Sequence, residues 1–195
     1  MMALDKLAKP WKSDTAYQEY VIRQAEKTQR FRDHIAGPRV SELVGLLVRT
    51  IHPVSPIGLS ALAIGCRNVH ELNVLQGAGF GPLSGIDLLS MSPRIQAMDM
   101  HALTFADQSF DVIFSAHSLE HAYDADRALA EFARVTRPRG YWAIEVPLRF
   151  DPTAVDRNDF QSTDALADRC EALGMTTILK QMNEQRTAGR VILQK

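Results

Sequence analysis

Four short apolar runs in the middle of the chain show no alternation of polar positions: SALAIGC at 60–66, LSGIDL at 83–88, FDVIFSA at 110–116 and YWAIEVP at 141–147. Runs of this length, rich in Ile, Val and Phe, are what strands buried on both faces look like, and such strands belong to parallel sheets. A further strand is expected at 94–98, and 175–182 with 190–194 reads as a closing antiparallel hairpin, which makes seven strands. Between the strands the period lengthens. Val69 to Gln76, Asp124 to Thr136 and Thr163 to Leu173 read as helices, while Gly77, Gly79, Gly81 and Pro82 turn the chain into the second strand. Leu89 to Pro93 is too short for an ordinary crossover helix. Pro138 and Gly140 read as a turn from helix into the strand at 141–147.

Two helices are expected before the first strand. Ser13 or Asp14 can cap one that runs to about Asp33, with Tyr17, Tyr20, Ile22 and Phe31 among many charges. It can lie over a ligand edge as a lid or cover a flank, and the flank is the simpler reading. Pro38 opens the second, whose Val40, Leu43, Val44, Leu47, Val48 and Ile51 share one face that should pack on the sheet. Pro53, Pro56 and Gly58 mark a connector. The expected organisation is a single domain over 1–195, with N-terminal helices over 1–58 and an α/β core over 59–195.

Composition narrows the class. A chain of 195 residues, 46% apolar, is long enough for one core that buries roughly 70% of the unfolded surface. A net charge of −1 gives no general field to draw a polyanion, so nucleic acid is not an expected partner. Two cysteines and no apolar run of about 18 residues point to a cytoplasmic chain with no membrane partner. A homodimer is compatible with these numbers.

In an open parallel sheet, ligands collect beyond the carboxyl ends of the strands. Those ends carry Gly65, Asp87, Ser115 with His117, and Glu145. Gly65 has no Cβ to hold a ligand off the backbone. His117 has an ordinary pKa near ~6.5 and could take a proton from a hydroxyl or amine, or it could simply pack. Glu145 is a second candidate for proton abstraction, or it is paired with an arginine.

The middle of the chain runs Asp99-Met-His-Ala-Leu103-Thr-Phe105-Ala-Asp107-Gln-Ser109-Phe110-Asp111-Val-Ile-Phe-Ser115, then Leu119-Glu120-His121, then Glu131-Phe-Ala-Arg134-Val135-Thr-Arg-Pro138-Arg-Gly140. This pattern resembles the class I S-adenosylmethionine-dependent methyltransferases, in particular their type 11 group. The resemblance implies a three-layer Rossmann-like α/β sandwich, S-adenosylmethionine as cofactor, and methyl transfer to a small polar molecule. It implies that Asp87, followed by Leu88, takes the ribose hydroxyls. Asp99 then accepts from the adenine amino group, with Met100 and His101 walling the ring. Ser115 and His117 stand where methyl donor and acceptor meet.

The family's acid-x-Gly-x-Gly-x-Gly loop is altered here to Ala63, Gly65, Arg67 and Val69, so that Gly65-Cys66-Arg67-Asn68 follows strand one. Arg67 can pair with the cofactor carboxylate while Asn68 or Glu71 replaces lost hydrogen bonds, or it can meet an internal carboxylate. The same departure motivates an alternative: a protein of this fold that binds cofactor or a partner without turnover. An NAD-dependent dehydrogenase would share the acid after strand two but not the run from Asp99 to Gly140. The Asn/Asp-Pro-Pro-aromatic signature of DNA-amine methylation is absent.

His117-Ser-Leu-Glu120-His121 also spells H-x-x-E-H, and it resembles the metal-holding segment of certain O-methyltransferases. At the exit of a buried strand, outside a helix, Glu120 and His121 are expected to fix the following turn, and no metal is expected.

Overall fold

The computed structural model describes residues 6–31, 33 and 38–195. The parts of the expected 1–195 domain that fall on 1–5, 32 and 34–37 lie outside the described residues. Seven strands form one sheet: β1 (Ala61–Ile64), β2 (Leu83–Asp87), β3 (Ile95–Ala97), β4 (Phe110–Ala116), β5 (Thr136–Pro147), β6 (Thr176–Met182) and β7 (Ala188–Gln194). Their order is β3-β2-β1-β4-β5-β7-β6, parallel as far as β5 and antiparallel at β5–β7 and β7–β6. The order reverses between β1 and β4, and that is where an open α/β sheet leaves a crevice at its carboxyl edge.

Helices cover both faces. On one side α2 (Arg39–Ile51) and α3 (His70–Gly77) bury Val40, Leu43, Leu47, Leu72 and Leu75 against β1, β4 and β5. On the other, α4 (Ala125–Val135) and α5 (Thr163–Glu171) set Leu129, Phe132 and Leu166 against Ile113, Trp142 and Val191. Asp124 and Ser162 accept backbone N–H bonds from Arg127 and Ala165 and so cap these two helices. The remaining helix, α1 (Thr15–Arg30), is capped by Asp14 and ends three residues before the expected Asp33.

Of two connections, one differs from its sequence reading and the other agrees with it. The Pro138–Gly140 segment is not a turn outside the sheet. β5 begins at Thr136 and bulges, so that Thr136 pairs with Phe110 and Tyr141 already pairs with Val112. Gly140 is required there because a Cβ would stand 2.9 Å from the carbonyl oxygens of Asp111 and Arg137. The connection from β2 to β3 carries no helix. Its outer edge is instead met by the N-terminal chain, where Ala8 N donates to Leu88 O and Ser90 N donates to Lys6 O.

Candidate functional site

Three residues at the carboxyl edge hold positive φ: Gly65 at 66°, Arg67 at 38° and His117 at 53°. They belong to the β1 and β4 exits, on either side of the crevice. A Cβ on Gly65 would lie 2.4 Å from the Ser118 Cβ, so the absence of a side chain lets the two exits touch. Ser118 Oγ donates to Ile64 O and bonds Ser115 Oγ, which locks that contact. Ser115 itself is fully buried by it and lines no cavity.

A cleft of about 540 Å3 runs along this edge from Leu88, Met98 and Met100 past Asp87 to Gly65, Arg67 and His117. Its roof is α1. Tyr20, Gln24, Lys27 and Thr28 face the cleft, and the helix is pinned across it by Tyr20 Oη donating to His121 O, Gln24 Nε2 to Val155 O and Thr28 Oγ1 to Asp87 Oδ1. The flank reading of this helix is therefore corrected: it is a lid. The signal was in the sequence. Tyr17, Tyr20, Val21, Gln24 and Thr28 share one helical face, and polar residues that continue an apolar stripe point to something other than plain core.

Asp87 lines the cleft and accepts from Arg67 N, Leu89 N and Thr28 Oγ1 at 3.0, 3.2 and 3.2 Å. Burial raises its pKa above the ordinary carboxylate value, against the pull of those bonds. Asp99 departs from its expected place. It is 2% exposed, lies outside the cleft, and accepts from Trp11 N, Tyr17 Oη and His101 N while bonding His101 Nδ1. Burial acts to raise its pKa, and the bonds to His101 and Tyr17 overcome that and leave it below the ordinary value. His101 is also enclosed, stacked at 5.4 Å on Trp11 rather than on the cleft. Sequence reading missed Trp11 and Tyr17 as partners, because they arrive from more than eighty residues away.

His117 faces both the cleft and the space beyond it, and its Nε2 lies 2.8 Å from Glu145 Oε1. Glu145 is 1% exposed and does not line a cavity. Its other oxygen accepts from Arg190 Nε, and Arg190 in turn reaches Glu42 at 2.6 Å. Burial works to raise the Glu145 pKa, but the bonds from His117 and Arg190 prevail and hold it below the usual range. An ionised Glu145 accepts a hydrogen bond from the Nε2–H of His117, and in the neutral ring Nδ1 is then the lone-pair nitrogen. Nδ1 lies 3.7 Å from Glu120 Oε1.

Glu120 and His121 form a 3-10 turn, Leu119–His121, that anchors the following loop. His121 Nδ1 meets Asp156 at 2.8 Å, and Lys27 reaches the same oxygen at 2.7 Å. No group of three His, Cys, Asp or Glu residues among the described residues is arranged to hold a metal ion.

The altered loop after β1 lines a second, smaller cavity through Cys66, Arg67, Asn68, His70 and Glu71, joined by Arg39 from α2. Glu71 is buried, and that burial, with Asp87 nearby, pushes its pKa up to about 8 in spite of Arg67 and Arg39. One Glu71 oxygen has no hydrogen-bond partner, and neither does the Nε of Arg39 or Arg67. Burial likewise raises the Cys66 thiol, which is inert packing. Arg39 was not foreseen, because nothing at the start of an amphipathic helix marks it as facing a strand exit.

Residues 62–144 match a family described as a methyltransferase domain. Malonyl-[acyl-carrier protein] O-methyltransferase of Halorhodospira halophila is 46% identical over 48 residues, covering 25% of this chain and 16% of that protein. Phthiotriol/phenolphthiotriol dimycocerosates methyltransferase 1 of Mycobacterium ulcerans is 32% identical over 118 residues, covering 55% and 36%. The chain thus spans well under half the length of either relative. Among solved structures, 1,6-didemethyltoxoflavin-N1-methyltransferase of Burkholderia thailandensis, with its substrate and S-adenosylhomocysteine bound, superposes with a TM-score of 0.71 at 15% identity, covering 97% of this chain and 91% of that one. Residues 62–144 thus resemble the methyltransferase domain family, and the sheet order and overall fold are those of this solved methyltransferase.

Proposed function

We propose that this protein transfers a methyl group from S-adenosylmethionine to a small polar acceptor. The observation that carries the reading is the cleft itself. It runs along the carboxyl ends of β2, β1 and β4 at the point where strand order reverses, and it shares Lys27, Arg67, His117 and His121 with a further cavity. The residues fit the cofactor. Leu88, Met98 and Met100 offer an apolar end, Asp87 two carboxylate oxygens for adjacent hydroxyls, and Gly65 backbone free of Cβ. Glu71, with an unpartnered oxygen, suits the cofactor's ammonium where the family has glycines.

The bound cofactor would supply an electrophilic methyl on a sulfonium. The chain's part is to align the acceptor, exclude water under α1 and take a proton. His117 Nδ1 is the group for that last task, with Glu145 as a positioning residue that fixes the ring from behind. Asp99 serves as a strut for Met100 and not as a partner of the adenine amine, since its lone pairs are taken by Trp11, Tyr17 and His101.

One observation favours a second reading, in which the fold binds without turnover. Thr28 already donates to Asp87, so α1 satisfies part of the expected ribose site internally. Calorimetry with S-adenosylhomocysteine decides. The methyltransferase reading expects binding that Asp87→Ala weakens at least tenfold, and a His117→Ala variant that keeps its cofactor affinity while its single-turnover rate falls roughly 10²-fold. No binding by the parent protein sinks this reading. Binding with no turnover on any acceptor leaves the second.

A further inference from the structure

Across His117 from the cofactor cleft lies an open cavity of about 860 Å3. Asp151, exposed, lines it as well, and its basic groups other than His117 fall into two sets. Lys27 and His121 share Asp156, at 2.7 and 2.8 Å, and are matched within the protein. Arg39 and Arg67 both act on the buried Glu71 carboxyl, and Arg67 on Asp87, without closing to an ion pair among the described residues. The Nε of each is enclosed without a hydrogen-bond partner. On the same cavity Glu120, 3% exposed, carries an enclosed oxygen, Oε2, that no donor reaches.

An enclosed polar atom left unpaired costs on the order of 1–3 kcal/mol, so each one calls for an explanation. Three around one cavity are accounted for together when a ligand supplies the partners. Two cationic N–H groups call for an anionic oxygen pair, and a carboxylate oxygen calls for an O–H or N–H. We infer that the cavity takes a small acid that also bears a hydroxyl or amino group, its carboxylate or phosphate on Arg39 and Arg67 and its O–H or N–H turned to Glu120 and His117. This rests on the methyltransferase reading and names the class of its acceptor. A molecule held by its acid end presents the other end to His117, beside the cleft where the methyl donor lies. The cofactor's own carboxylate is the other source of the same chemistry. Arg67 lines both spaces, and Arg39 lines the acceptor cavity and the small cavity after β1 but not the cleft, so binding to the cofactor-saturated protein, rather than the position of Arg39, separates the two sources.

The test titrates inorganic phosphate, at constant ionic strength, into the protein saturated with S-adenosylhomocysteine. The expected result is saturable binding that Arg39→Gln weakens at least about tenfold and Arg39→Lys weakens less, the loss of one charge-assisted contact. Arg39→Gln should keep S-adenosylhomocysteine affinity within a few-fold of the parent, which also shows that it folds. If phosphate binds only the free protein and competes with S-adenosylhomocysteine, both guanidiniums serve the cofactor and the acceptor assignment is overturned. Absence of saturable phosphate binding to the complex overturns it as well. Failure of S-adenosylhomocysteine to bind is a different outcome. It removes the methyltransferase reading, and the acceptor assignment with it, while phosphate titration of the free protein still reports whether Arg39 and Arg67 form an anion site.

Discussion

At the scale of single residues, the site depends on Gly65 more than on any charged group. Its φ of 66° and the Ser118 Cβ lying 2.4 Å from where its own would be are two separate demands on one position. Gly65→Ala is expected to lower stability by roughly 1–3 kcal/mol, through backbone strain and steric overlap together. Ser118→Gly removes the overlap together with the Ser118 Oγ bonds to Ile64 O and Ser115 Oγ, so it serves as the background for the comparison. In chemical denaturation Gly65→Ala should cost less in that background than in the parent, and no cost there would mean that φ at this position carries no strain. Gly65, Asp87 and His117 were legible in the sequence because each stands at the end of an apolar run, where a polar or small residue has to be explained. The alternative of Glu145 paired with an arginine is the one observed, but the sequence could not name Arg190, which arrives from the antiparallel strand β7. Asp99 was legible as a residue, but its partners within the protein were not. The chain that fills its lone pairs is separated from it by 88 and 82 positions, and no local pattern encodes such a contact.

At the scale of elements, the strands were readable because burial on both faces leaves uninterrupted apolar runs, and α2 because one face is apolar throughout. The lid was legible only through Gln24 and Thr28 continuing the stripe of Tyr17, Tyr20 and Val21, since α1 holds its position by hydrogen bonds more than by a broad apolar face. Tyr17 is its central tie. Fully buried, it donates to Asp99 Oδ2 at 2.6 Å, lies 2.9 Å from His101 Nδ1 and packs edge-on against Tyr123. Its phenol stays protonated, because burial and the adjacent Asp99 both raise its pKa. Tyr17→Phe keeps the ring and removes the tie, and should cost about 1–2 kcal/mol. Hydrogen exchange should show where the loss falls. Amides of α1 are expected to exchange faster while those of β1, β4 and β5 keep their protection, as in a local opening. Equal acceleration in the sheet would show that α1 is an integral part of the cooperative core and not a separable cover.

At the scale of the whole molecule, two sets of carboxyl groups pull stability in opposite directions with pH. Asp99, Asp111, Glu131, Glu145 and Asp156 are held below their ordinary values, so the stability they contribute is present above those values and is lost as pH falls through the lowered ones. Glu71 does the reverse. Its pKa is raised from 4.5 to about 8 by burial, so between those values the folded protein binds a proton that the unfolded chain does not. That contribution is complete below about pH 4.5 and disappears as pH rises through about 8, at a slope approaching 1.4 kcal/mol per pH unit. The raised pKa of Asp87 adds in the same sense. Maximum stability is therefore expected on the acid side of neutrality, near pH 5, with a decline toward pH 8 that amounts to a few kcal/mol. Glu71→Gln carries no proton to lose, so its stability should vary much less over the same interval, and the two denaturation profiles should diverge as pH rises. Parallel profiles for parent and variant between pH 5 and 8 would place the Glu71 proton in solution in both states, and the cavity beside Arg39 and Arg67 would then hold an ionised carboxylate when free of ligand.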